Sequence, residues 1–225
     1  MLFSTLHSKS FINGHIYDRA VALTNLQHEL DVIQDERVKQ ILFDALPNKT
    51  KEKLDMLWGQ LYSDNGRKNI PLKGGCWTGE PGDSIWIPRA SDIPPNKGYS
   101  NMDLKTWGQI MRENRISGIA FRDGRADFRP VSKYDVVFDW EDHLGKDGIR
   151  YLLESGDRQH LHMKAFLQLS KKLGISEDRV INLKETLNLV WHEEPDCKTM
   201  RLVVREVHDN IKHFGGIAML AIIYD

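Results

Sequence analysis

Between Asp64 and Gly75 the chain runs through Asp-Asn-Gly-Arg-Lys-Asn-Ile-Pro-Leu-Lys-Gly-Gly, and its apolar residues recur differently on the two sides of that passage. Asn-Gly, Pro and paired Gly interrupt helix and strand alike, so the two sides must form separate elements. Upstream, Val21, Leu26, Leu30, Ile33, Val38, Ile41, Leu42 and Leu46 recur at spacings of three to five, which predicts one long or two consecutive amphipathic helices over about 18–46. A further helix is expected from Thr50, as N-cap, to about Tyr62, with Leu54, Leu57, Trp58 and Leu61 on one face. Residues 1–70 therefore read as a helical N-terminal region and 71–225 as a second domain.

Downstream the texture changes. Gly74 to Pro95 is dense in Gly, Pro and Trp, with a strand-like Ile85-Trp86-Ile87, and predicts a loop-rich β segment. Thr106 to Asn114 fits a short helix. Gly118 to Phe128 reads as two short strands joined by the Asp123-Gly124 turn, and Tyr134 to Phe138 continues the β character. Two helices should follow, Gln159 to Leu173 ended by Gly174, and Glu177 to Leu187 capped by Ser176. The apolar run Ile217 to Tyr224 has the length of a buried strand. The fold class is α+β.

Bulk properties exclude more than they assign. Lys and Arg number 31 against 32 Asp and Glu, so any phosphate-binding surface must be local. Two cysteines, Cys76 and Cys197, make no disulfide framework and no paired zinc spacing, which implies a reducing, cytoplasmic setting. The opening MLFSTLHSKSFINGH lacks the apolar run and cleavage site of a secretory signal, and no stretch approaches the ~20 apolar residues of a membrane span.

Chemistry concentrates near the C-terminus. Leu189 to His192 reads as a strand, Pro195-Asp196 as a turn, Met200 to Val204 as a second strand and the residues around His208 as a short helix. Such a ββα unit can hold one divalent cation between strand end and helix. His192, His208 and His213 bring imidazoles to this span, with Glu193 beside the first. Imidazole suits both metal ligation and proton transfer near neutral pH. Phosphodiester hydrolysis needs both, since charge must be stabilised on the phosphate and a proton removed from the attacking water. Any one His is more often a surface or satisfied core residue, so the grouping carries the weight. His160 and His162 form a second pair, but an i, i+2 pair on a helix points to different faces and reads as structural.

Trp191-His192, Lys198-Thr-Met-Arg-Leu-Val, His208 and His213-Phe-Gly-Gly together resemble the Trp-His-His class of the HNH/endonuclease VII superfamily, found as C-terminal nuclease domains of bacterial polymorphic toxins. Gly75 to Pro88 and Gly124-Arg-Ala-Asp-Phe are similar to segments that precede the nuclease motif there, so the likeness covers about 74–216. The resemblance implies an HNH-type nuclease domain over 71–225 with its ββα-metal motif at about 187–216. Two departures stand out, Glu193 where many members have a second His and Val204 where they have Pro.

By position, the resemblance implies His192, His208 and His213 as metal ligands with Glu193 as base or water-orienting carboxylate. The other assignment makes His192 the base and moves Glu193 into the metal shell. Either one needs a twist or bulge at the strand end, because neighbours on a regular strand face opposite ways. Lys198, Arg201, Arg205 and Lys212 are candidate nucleic-acid contacts, against the alternative of a solvated surface mixed with Glu194, Glu206 and Asp209. Asp127 is read as closing an Asx-turn rather than orienting a ligand, Trp191 as core, and Trp77 and Trp86 as packing rather than base-stacking residues.

The expected function is a metal-dependent endonuclease acting as an antibacterial toxin. Its cofactor would be one divalent ion (Zn, Ni, Mn or Mg), its substrate DNA ahead of RNA, and its protein partner a cognate immunity protein, with no membrane partner. The expected location is cytoplasmic in the producer, with delivery into target bacteria by a signal-independent route. The alternative from another class is a metal-stabilised nucleic-acid-binding or inactive nuclease-like module.

Overall fold

The N-terminal periodicity resolves into three helices, α1 (Ile16–Asp31), α2 (Glu36–Asp44) and α3 (Asn48–Leu61). The structure, a computed structural model, describes residues 14–63, 66–95 and 104–224; residues 1–13, most of the segment read as lacking a secretory signal, lie outside them. Asp35 separates α1 from α2 by accepting hydrogen bonds from the Arg37 and Val38 N–H groups. α3 starts two residues before the expected Thr50 cap, because Pro47 at the N-cap has no N–H to lose and pre-sets the backbone for the first turn.

A two-stranded ribbon, β1 (Tyr62–Ser63) and β2 (Gly66–Arg67), leads into the loop-rich segment. There β3 (Gly75–Trp77), β4 (Ile85–Pro88), β5 (Ile119–Arg122) and β6 (Arg125–Ala126) form an antiparallel sheet in chain order. The β5–β6 turn is the foreseen Asp123-Gly124, both with left-handed φ (49° and 73°), as a two-residue hairpin requires. α4 (Trp107–Asn114) carries a full capping box between Thr106 and Gln109. Trp77 stands edge-on to Phe121 at 5.0 Å and Trp86 edge-on to Trp107 at 5.8 Å, so both serve packing.

The second sheet holds the site. β7 (Ser132–Val137), β8 (Leu189–Glu193) and β9 (Thr199–Val204) pair antiparallel in the order β7-β9-β8, which makes β9 central and β8 an outer strand. The helices around it are α5 (Trp140–Ser155), α6 (Gln159–Leu173), α7 (Glu177–Thr186) and the four-residue α8 (Arg205–His208). α6 has the expected ends, with Gly174 closing it at φ 67°, and Ser176 caps α7.

The run after Gly216 is a correction. Expected as a buried strand, it forms a helix, α9 (Gly216–Tyr224), which packs on α1 and α3. Arg19 and Lys53 donate to the Ile223 and Ile222 carbonyls at 3.0 and 2.7 Å, satisfying acceptors that a helix C-terminus leaves open. Covered on its sides, α9 has no need of a polar face. The N-terminal helices therefore share a continuous apolar core with the C-terminal region. Among the described residues no helix is long and apolar enough to cross a membrane.

Candidate metal centre

The turn from β8 to β9 fixes the register on which the site depends. Asp196 accepts the Lys198 and Thr199 N–H groups at 2.9 and 2.8 Å and the Thr199 hydroxyl at 2.6 Å, while Cys197 takes left-handed φ (57°). His192 is thereby paired opposite Arg201 and Glu193 opposite Met200. The pairing is regular to the strand end, so the twist or bulge expected there does not occur; the irregularity lies instead between Ser132 and Tyr134 of β7. His192 and Glu193 consequently project to opposite faces.

On one face, His192 from β8, His208 from the end of α8 and His213 from the loop before α9 converge. One ring nitrogen of each lies within 4.8 Å of those of the other two. His192 Nδ1 and His208 Nε2 are 3.3 Å apart, a separation one proton can bridge and at which a cation could replace that proton. His208 Nδ1 faces the Asp209 carboxylate at 3.0 Å and His213 Nδ1 faces the Ile211 carbonyl at 2.7 Å, so hydrogen bonds to these acceptors leave both Nε2 lone pairs pointing inward. Outer partners of this kind fix tautomer and ring orientation in metal sites. The donor set fits a divalent transition metal.

Electrostatics agree with that fit. Burial, then its imidazole neighbours, hold His192 well below its ordinary pKa, and burial followed by the charge of His208 brings His213 down to about 4. Both are neutral at pH 7, the form that ligates. Phe128, 0% exposed, forms the floor, its ring 4.8, 5.2 and 4.9 Å from those of His192, His208 and His213. Asp127 beside it accepts from the Arg129 backbone at 3.0 Å and holds the Arg129 guanidinium, the Asx-turn role read from sequence.

The second glycine of the His213-Phe-Gly-Gly motif is the sterically demanding one. A Cβ on Gly216 would strike the Glu194 carbonyl oxygen and lie 2.7 Å from the Trp140 ring, whereas one on Gly215 would meet nothing closer than 3.6 Å. Gly216→Ala is expected to cost at least about 1–3 kcal/mol by overpacking, because the obstacle is backbone, and to push His213 off the triad. Gly215→Ala should stay within about 0.5 kcal/mol of the parent. Thermal unfolding of the pair decides, and equal losses would discard the steric account.

Glu193, 5% exposed, turns to α6. Its Oε1 lies 3.0 Å from His162 Nε2 and its Oε2 3.4 Å from Arg158 Nη1. Burial pushes its carboxyl up, but the His162 hydrogen bond and Arg158 outweigh it and hold Glu193 below the usual range. Arg158 has no signal in the sequence, and the His160-His162 spacing, which reads as structural, does not disclose the Glu193 contact of His162, because the partner of both is 31 or more positions away. His160 and His162 do face apart, the former exposed.

The four basic candidates disperse. Lys198 lies over the Tyr17 ring at 4.3 Å, Arg205 donates to the Leu189 carbonyl at 3.2 Å, and Lys212 is exposed beside a groove with Trp86 and Trp107. Arg201 borders the triad, donating at 2.6 Å to Glu194, whose Oε1 is 3.9 Å from His192 Nε2, and Arg205 also pairs with Asp209, the carboxylate beside His208. Arg201 and Glu194 also line a groove of about 430 Å³ with Arg122, Arg125 and Arg129. Cys76 is exposed and Cys197 buried, and neither joins a cluster of metal-ligating side chains among the described residues. A second such grouping, His15 with Asp139 and Asp142, is accounted for by Asp139 capping α5.

The family of DNase/tRNase domains of colicin-like bacteriocins matches residues 150–215, less than a third of the chain but a span holding the whole triad together with Arg158, His162 and Glu193. No curated protein and no solved structure matches. The match supports a nuclease toxin domain of bacteriocin type in this part of the chain.

Proposed function

We propose that this chain is a metal-dependent endonuclease of the ββα-metal (HNH) kind, a member of the Trp-His-His class, that cleaves DNA ahead of RNA as an antibacterial toxin. The observation that carries the reading is the convergence of three imidazole nitrogens from β8, α8 and the following loop within 4.8 Å of one another. His192, His208 and His213 would hold one divalent ion, with zinc, nickel or manganese preferred over magnesium by the nitrogen donors. Such an ion would stabilise negative charge on the scissile phosphate and the leaving oxygen. Imidazole ligands bring no negative charge to a metal, which leaves the cation's charge available to a phosphate. Among the described residues no fourth His, Cys or carboxylate oxygen joins the group, which supports an open catalytic position over a closed structural one.

Glu193 serves in this reading as a carboxylate outside the metal shell rather than as a metal ligand, since its oxygens are engaged with α6. Arg201, with Arg122 and Arg129 in the adjoining groove, meets the phosphate backbone nearest the triad, and Lys198, Arg205 and Lys212 contribute around it. A toxin of this kind implies delivery into a target cell and a cognate immunity protein in the producer.

The test incubates the protein with supercoiled plasmid and with RNA, each with Zn²⁺, Ni²⁺, Mn²⁺ or Mg²⁺ and with chelator, beside His192→Ala and His208→Ala. Cleavage should require a divalent ion and vanish in both variants. Nicking that persists through chelation and both substitutions would remove the proposal.

A further inference from the structure

The face of β8 opposite the triad holds a second constellation. Arg158, His162 and Phe166 recur at intervals of four from the start of α6, and the same face of β8 carries Trp191 and Glu193. Phe166 packs edge-on against Trp191 at 5.6 Å, which seats the helix on the strand. One turn earlier His162, and one turn before that Arg158, grip Glu193. Both oxygens of this buried carboxylate are thus occupied by donors, and Glu193 could accept a proton from water only by giving up one of them.

We propose that His162 takes the proton from the attacking water and that Glu193 is its positioning carboxylate, an inference that rests on the nuclease reading above. With its Nε2–H donated to Glu193, the His162 ring carries its lone pair on Nδ1. Nδ1 has no hydrogen-bond partner among the described residues, and the side chain is 32% exposed, so water can reach it. The dyad lies across β8 from the triad and within electrostatic range of it. β8 is the outer strand of its sheet, Glu193 directly follows His192, and the charges of Glu193 and Arg158 both act on His213. A carboxylate that fixes the tautomer of a base imidazole is the arrangement by which a His is prepared to accept a proton from a nucleophile. In the step, a water O–H bond breaks, its proton passes to Nδ1, and the oxygen bonds to phosphorus. The P–O bond to the leaving oxygen breaks, that oxygen takes a proton from solvent, and His162 returns its own to solvent.

The experiment compares the parent with His162→Ala, His162→Gln and Glu193→Gln in single-turnover cleavage of duplex DNA at saturating metal. Zn²⁺ and Ni²⁺ affinity is measured in parallel by calorimetry on chelator-stripped protein. Both His162 variants should bind metal within about twofold of the parent yet cleave about 10²–10⁴-fold more slowly. Added imidazole should restore part of the rate to His162→Ala, which a purely structural loss would not allow. Glu193→Gln should lose less. Gln at 162 can still donate to Glu193, so it separates loss of the base from loss of the fold should the alanine variant unfold. If the parent cleaves and the glutamine variant cleaves within threefold of it, His162 is not the base while the nuclease reading stands. If the parent cleaves neither nucleic acid with any ion, the nuclease reading itself falls and this assignment with it.

Discussion

Phe128→Ala is expected to cost about 3–5 kcal/mol of folding stability and to weaken metal binding in whatever fraction remains folded. The ring is wholly buried and touches all three imidazoles of the triad, so its removal opens a cavity whose walls are the ligands themselves. Collapse of those walls would move the inward-facing nitrogens, and entry of water would relieve the burial that keeps His192 and His213 neutral. Phe128→Leu, which keeps most of the volume, should lose much less stability while loosening the rings. Urea unfolding of chelator-treated protein gives the first quantity and zinc calorimetry the second. If Phe128→Ala unfolds within about 1 kcal/mol of the parent, the ring is not the floor of the triad.

Phe128 also marks the limit of what the sequence discloses. His192, His208 and His213 were legible because they fall within 22 positions of one another, on a strand, turn, strand and helix whose ends are written in Pro195-Asp196 and in the Val-rich β9. The Gly-Arg-Ala-Asp-Phe segment was recognisable as a turn. That its phenylalanine passes under the triad depends on β7, which follows it, pairing with β9 some 65 positions later. The dyad of His162 and Glu193 was hidden for the same reason, since periodicity places His162 on a helix face but not that face on a strand.

Local errors have local causes. α5 escaped notice because Gly145 and Gly148 dilute its helical pattern, and Gly145 indeed breaks the helix with φ 63° and ψ 175°. The run 217–224 is apolar at every position and carries no period, so only tertiary context could choose helix over strand. The lysine and arginine that close that helix come from α3 and α1, more than 160 positions upstream. α6, by contrast, has an amphipathic stripe and a terminal glycine in the chain itself, and its ends were read correctly.

Acidification of the metal-free protein should unfold it well before ordinary carboxylate titration is complete. His213 is held at about 4 in the fold, chiefly by burial, against 6.5 when exposed. Below pH 6.5 the unfolded chain therefore binds a proton that the native state refuses, so stability falls as pH falls and goes on falling until His213 itself protonates near pH 4. Over that window His213 alone removes about 3 kcal/mol, at 1.36 kcal/mol per unit. His192 is shifted in the same direction for the same reason and adds to the loss. Glu194, which burial raises, takes up a proton earlier in the fold than in the unfolded chain and offsets part of it. Urea midpoints in chelator at pH 7, 6, 5 and 4 should drop steeply in the parent and less in His213→Gln, which has no proton to refuse. Saturating Zn²⁺ should hold the parent midpoint up near pH 6 to 7, because only the native triad binds the ion well and its His192 and His213 are already deprotonated. A flat profile from pH 6.5 to 4.5 without metal would mean that the imidazoles are not buried together, and the site built on their convergence would go with it.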